Sequence, residues 1–146
     1  MTRRWHNLLV TPDGAVAMEF AITATALMML TLGTIEFGRL LWTQEALNAT
    51  AIQTARCIGV LSTSCASAGA YSSANTTSYA ETTASGWGVT LTAGDVTAST
   101  SGASSACSGD AEVSISYTFD SVVPGLLTML AGGAALTAQA CFPNQT

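Results

Sequence analysis

The chain contains no lysine, and only four of its 146 residues are basic. Charged residues make up 9%, against about 25% in an ordinary soluble domain. Apolar residues reach 49%, so this scarcity of charge is not the signature of disorder. The formal net charge is -5. Arg3 and Arg4 stand in the first few residues, which leaves Arg39 and Arg56 for the rest. That balance argues against nucleic acid as a partner, because phosphate binding needs clustered cations. Histidine occurs once, as His6, and no two cysteines stand in a C-x-x-C spacing. A Ser/His/Asp or Cys/His catalytic set and a zinc site therefore lack their parts. No phosphate loop is present. The acids Asp95, Asp110, Glu112 and Asp120 are scattered, without the alternating pattern of a calcium loop. We expect neither an enzyme nor a bound cofactor or metal.

What the chain does have is a long apolar run. Phe20 to Trp42 spans about 35 Å as a helix at ~1.5 Å per residue, enough to cross a hydrocarbon core of ~30 Å. The preceding segment, Met1 to Gly14, carries both N-terminal arginines and only a brief apolar patch, Leu8 to Val10. The arginines predict a cytoplasmic N-terminus and an outer C-terminal domain. Trp42 stands at the far end, where an interfacial aromatic belongs. Two carboxylates break the run. Each would cost roughly 2.5–3.5 kcal/mol at the bilayer centre and less toward the ends. Glu36 has Arg39 three residues on, on the same helix face, which predicts an ion pair near the outer interface. Glu19 has no cation near it within its own helix. Small residues recur at Ala15, Ala17, Ala21, Ala24, Ala26 and Gly33, which favours close helix packing in lipid. Thr23, Thr25, Thr31 and Thr34 can return their hydroxyls to helix carbonyls.

All four cysteines, Cys57, Cys65, Cys107 and Cys141, follow the apolar run. An even number on one side of a membrane segment fits a disulfide-permissive compartment. Of the three pairings open to four cysteines, Cys57–Cys65 with Cys107–Cys141 is favoured. The first closes a short local loop and the second ties down the C-terminus.

The run Gly14-Ala15-Val16-Ala17-Met18-Glu19-Phe20 opens the apolar segment. Further on come Ile35-Glu36-Phe37-Gly38-Arg39, Ala46-Leu47-Asn48-Ala49 and Ala55-Arg56. Together these resemble the TadE-like family of minor pilins, or pseudopilins, of the tight adherence (Tad/Flp) pilus system, over roughly Gly14 to Cys57. The resemblance implies a non-catalytic structural subunit needed for pilus assembly and surface adhesion. It implies a prepilin peptidase that cuts between Gly14 and Ala15, with other pilins and the assembly machinery as partners. It places the protein in the bacterial inner membrane, with one pass and a periplasmic domain, or in the extracellular pilus. Glu19 and Phe20 would then serve assembly. After the cut, the new α-amino group of Ala15 lies four residues from Glu19 and offers it a partner, in its own chain or a neighbour. Members often carry proline near the position of Thr25; threonine keeps the helix hydrogen bond that proline removes. The competing reading is an uncleaved, signal-anchored envelope domain that binds a partner or surface ligand.

Past the membrane, Trp42 to Arg56 continues in helix formers with an apolar stripe at Leu47, Ala51, Ile52 and Ala55. Gly59 is a stop. Ala68 to Ser85 reads as a short exposed helix. Trp87 to Leu91 alternates and reads as a strand, and Thr97 to Gly109 as a polar loop. Glu112 to Phe119 alternates strictly and is a strand. Leu126 to Leu130 reads as a short turn or helix after Pro124-Gly125, and Leu136 to Phe142 as a last strand. The fold expected is α+β and pilin-like: a long N-terminal helix with a small antiparallel sheet packed at its outer end. The organisation expected is a leader at 1–14, a helix at 15–59 (span 20–42, outer part 43–57) and an extracytoplasmic domain at 60–146.

Overall fold

The computed structural model describes residues 12–102, 104, 107–121 and 135–145. Helix α1 runs Pro12–Gly59. It is followed by a hairpin of β1 (Ala66–Ser67) and β2 (Ala70–Tyr71), helix α2 (Ser73–Gly86), and strands β3 (Val96–Ser99), β4 (Ala111–Thr118) and β5 (Ala135–Phe142). The chain divides after Gly38 into two units, and each is taken by itself. The turn at Leu126 to Leu130 and most of the leader lie outside the described residues.

The first unit is helical from Pro12. Its large apolar side chains are exposed on every face: Val16, Met18, Phe20, Ile22, Leu27, Met28, Met29 and Leu30 are all more than 60% exposed. A helix apolar all round has no core-facing side; it is built for an apolar surround. It is the one helix among the described residues that is long and apolar enough to cross a membrane, with a mean hydropathy of 1.8 over its best window. The threonines behave as the sequence suggests. Thr23 donates to the Glu19 carbonyl at 2.8 Å, Thr25 to Ala21 at 2.7 Å, Thr31 to Leu27 at 3.0 Å and Thr34 to Leu30 at 2.6 Å. Each hydroxyl is satisfied within the helix, which removes most of its cost in lipid.

The second unit packs the outer part of α1, a three-stranded antiparallel sheet and α2. The buried face of the helix is Thr43, Ala46, Leu47, Thr50, Ala51, Thr54, Ala55 and Ile58, spaced at 3 and 4 as one helix face requires. Ile52 is a correction: it is 59% exposed. The stripe runs instead through threonines, which sequence hydropathy scores as polar. Thr43, Thr50 and Thr54 donate to the carbonyls of Arg39, Ala46 and Thr50, at 2.9, 2.8 and 2.7 Å. With the hydroxyl spent on its own helix, the methyl is free to pack.

Strand order is β3-β4-β5. Val96 sits opposite Ile115, and Ile115 opposite Ala138; Ala98 sits opposite Val113, and Val113 opposite Ala140. These two rows share one face, because residues two apart do. They join Leu47, Ala51 and Ile58 in a single apolar cluster. Val113 and Ile115 are fully buried. The strands expected at Glu112 to Phe119 and Leu136 to Phe142 are β4 and β5, each within a residue or so.

The strand expected at Trp87 to Leu91 does not form. The Trp87 N–H donates to the Ala84 carbonyl at 2.9 Å and the Gly88 N–H to the Ser85 carbonyl at 3.0 Å, closing α2, and Val89 N–H returns to Ala84 at 3.0 Å. Gly88 between them has φ +80°, a conformation that favours glycine. These donors are committed to the helix end and leave no ladder. Val89 and Leu91 are still buried while Thr90 is exposed, so the alternation serves burial alone. A 3₁₀ turn at Ala93–Asp95, capped by the Asp95 carboxylate accepting from Thr92 N–H at 2.8 Å, then leads into β3. Thr97 to Ser99, expected in a loop, is therefore strand.

Helix α2 overlaps the expected stretch Ala68 to Ser85 but starts later, because the β1–β2 hairpin takes the first residues, and ends at Gly86. Ser72 caps it, accepting from Asn75 N–H. Thr76, Ala80 and Ala84 are its buried face.

Both favoured disulfides are present, Cys57–Cys65 and Cys107–Cys141. The first joins the last turn of α1 to the residue before β1. The second joins the loop before β4 to β5. Sequence separations are 8 and 34. On the chain-entropy model these stabilise by roughly 2.5 and roughly 4 kcal/mol. Replacing Cys107 and Cys141 by alanine should therefore lower the unfolding temperature of the detergent-solubilised protein more than the same change at Cys57 and Cys65. The reverse order in a thermal scan would show that burial of the first pair outweighs loop length.

Gly59 ends α1 against the C-terminal strand. A Cβ there would meet Phe142 Cδ1 at 2.5 Å and the Pro143 carbonyl at 3.0 Å. Gly59→Val should destabilise by about 1–3 kcal/mol, the usual cost of overpacking, read as a lower denaturant midpoint.

Candidate functional site

The residues singled out by sequence fall into two groups. Gly14, Ala15, Glu19 and Phe20 occupy the first turns of α1. All four are exposed, Phe20 by 72%. The Gly14–Ala15 bond lies within the first helical turn. Ala15 and Glu19 are four apart in the helix, which puts them on the same face.

Glu36 and Arg39 follow along α1. Glu36 is buried, 6% exposed. Arg39 is exposed, and its guanidinium carbon lies 5.5 Å from the centre of the Phe119 ring, within cation–π range. Phe119 is buried just after β4. Sequence reading missed this contact, because nothing in the spacing links positions 39 and 119.

The cysteines belong to the outer domain. Cys57, Cys65 and Cys107 are buried. The Cys107 region is held from several sides. Gly102 N–H donates to the Asp110 carbonyl at 2.7 Å. Asn144 Nδ2 donates to the carbonyls of Thr100 and Gly109, at 2.7 and 3.0 Å. The Glu112 carboxylate accepts from Ser104 N–H at 3.1 Å and from Gln139 Nε2. The acids and amides of this end thus serve the fold. Burial raises the Tyr71 phenol above its ordinary value, in spite of a hydrogen bond with Thr76 that lowers it; its hydroxyl donates to the Ala98 carbonyl at 3.0 Å.

One feature was legible only in half. Trp42 Nε1 donates to the Trp87 carbonyl at 3.2 Å. The two indoles meet edge to face, with centroids 6.0 Å apart. Sequence placed Trp42 at the membrane edge but gave Trp87 to a strand. Its position after α2 is fixed by the helix end, not by alternation.

Among the described residues no three His, Cys, Asp or Glu side chains group as metal ligands would. A family model described as "TadE-like protein" matches residues 14–56. No curated protein and no solved structure matches the chain. The matched segment is helical throughout, from the exposed apolar part to the face that carries the sheet. Over residues 14–56, less than a third of its length, the chain is therefore similar to the TadE-like family.

Proposed function

We propose that the protein is a minor pilin or pseudopilin, a non-catalytic structural subunit for assembly of the tight adherence pilus. The observation that carries this reading is the family match over residues 14–56, on a helix whose apolar side chains are exposed all round. Such a surface suits lipid first and neighbouring pilin helices afterwards. The helix would anchor the protein in the inner membrane with the sheet domain outside.

In this reading a prepilin peptidase cuts between Gly14 and Ala15. A peptidase needs its substrate extended. Glycine before the bond adds the backbone freedom that such an opening needs. The cut creates an α-amino group at Ala15, one turn before the Glu19 carboxylate. An unpaired carboxylate in lipid is costly, so Glu19 favours a position beside such a cation, on its own chain or a neighbour. Arg39 serves Glu36 in the same sense, three residues on.

Protein isolated from the cell envelope should begin at Ala15 by intact mass and N-terminal sequencing, and Gly14→Trp should leave the full-length chain. A chain that retains Met1, in cells with an active prepilin peptidase, would instead make it a signal-anchored binding domain.

Glu19→Ala should still be cut, since the scissile bond is unchanged, yet give fewer pili by electron microscopy. Normal piliation in that variant would remove any pairing role for the carboxylate.

A further inference from the structure

The outer domain carries a second tryptophan at the level where α1 leaves its apolar stretch. We propose that Trp42 and Trp87 form one interfacial anchor, which seats the C-terminal end of α2 on the headgroup layer of the bilayer that α1 crosses. The inference rests on the membrane-anchor reading of α1 and adds a lipid contact made by the domain itself.

Four observations carry it. Trp42 closes the apolar stretch of α1, just after Phe37 and Leu41, which are 59% and 49% exposed. Trp87 is held to it by the indole N–H bond to its carbonyl and by the edge-to-face contact at 6.0 Å, so the two rings sit together. Both remain exposed, at 59% and 41%, although the domain buries side chains as small as Ala80 and Ala84 completely. Between them is a depression of about 160 Å³ floored by Ala46 and Ala49, with Glu45 one turn farther from the apolar stretch.

Tryptophan is the side chain best suited to the headgroup layer: a large apolar ring with one polar N–H. Lipid is the occupant that this geometry favours, because the anchor adjoins the end of a membrane-length helix.

The test uses the full chain in phosphatidylcholine vesicles, with single tryptophans. Trp5→Phe with Trp42→Phe leaves Trp87; Trp5→Phe with Trp87→Phe leaves Trp42. Lipid brominated near the headgroup end of its acyl chains should remove most of the fluorescence of both. Aqueous acrylamide should quench both less than free tryptophan. Quenching of Trp42 but not Trp87 by the brominated lipid, with Trp87 open to acrylamide, would overturn the proposal and leave the anchor reading intact. Trp87 shielded from both quenchers would mark a protein contact, such as a second copy, and overturn it equally. If neither tryptophan responds to the lipid, the anchor reading itself fails. Fluorotryptophan in the unsubstituted chain, read by fluorine NMR with headgroup-labelled nitroxide lipid, gives the same comparison if a substitution disturbs the fold.

Discussion

The outer domain depends on one contact: the alanine and threonine face of α1 against the β3-β4-β5 sheet. Leu47 and Ile58 are the only large side chains on that helix face, with Thr50, Ala51, Thr54 and Ala55 between them. Small side chains let the sheet come close, so Val113 and Ile115 are excluded from water completely. Threonine succeeds here because its hydroxyl is already bonded to the preceding turn. A serine would satisfy the same bond without supplying the methyl. Everything else in the domain is arranged around this layer. Helix α2 adds Ala80 and Ala84 to the same core, and Gln44 Nε2 reaches the Thr137 carbonyl of β5 at 2.9 Å. The C-terminus returns to the helix end, where Gln145 N–H donates to the Gly59 carbonyl at 2.9 Å.

The same helix meets two opposed requirements. Up to its exposed stretch it must be apolar on every side, with each polar group satisfied internally. Beyond Trp42 it must be amphipathic. Threonine works in both halves by one means, the hydrogen bond back to the i−4 carbonyl. That shared solution lets the sequence pass from one regime to the other without proline.

Much of this was legible in the sequence, for definable reasons. The membrane-length run, β4 and β5 were readable because their periodicity extends over many residues. The disulfides were readable because four cysteines allow few pairings and chain distance ranks them. The misses have physical causes. Ile52 looked like core because it is apolar, but position 52 is off the face set by 47, 51, 54 and 58. Trp87 to Leu91 alternates like a strand, yet its N–H groups had been claimed by the end of α2. Thr97 to Ser99 looked like the edge of a loop, and became strand with Val96 because Ile115 and Val113 offered it a register. The contacts Trp42–Trp87 and Arg39–Phe119 join residues far apart in sequence, and no local pattern encodes them.

The two disulfides also decide how the domain yields when it is pulled. A load entering along α1 arrives at Cys57, Gly59 and, through them, the C-terminal strand. The Cys107–Cys141 bond spans 34 residues, a stretch that would otherwise pay out about 115 Å of extended chain at ~3.4 Å per residue. Closed by a covalent bond, that length is withheld from extension. The Cys57–Cys65 bond does the same for the exit from the helix. Under tension the domain has little slack to release, and what passes from the helix end to the C-terminal strand is borne by packing and by the Gln145–Gly59 hydrogen bond.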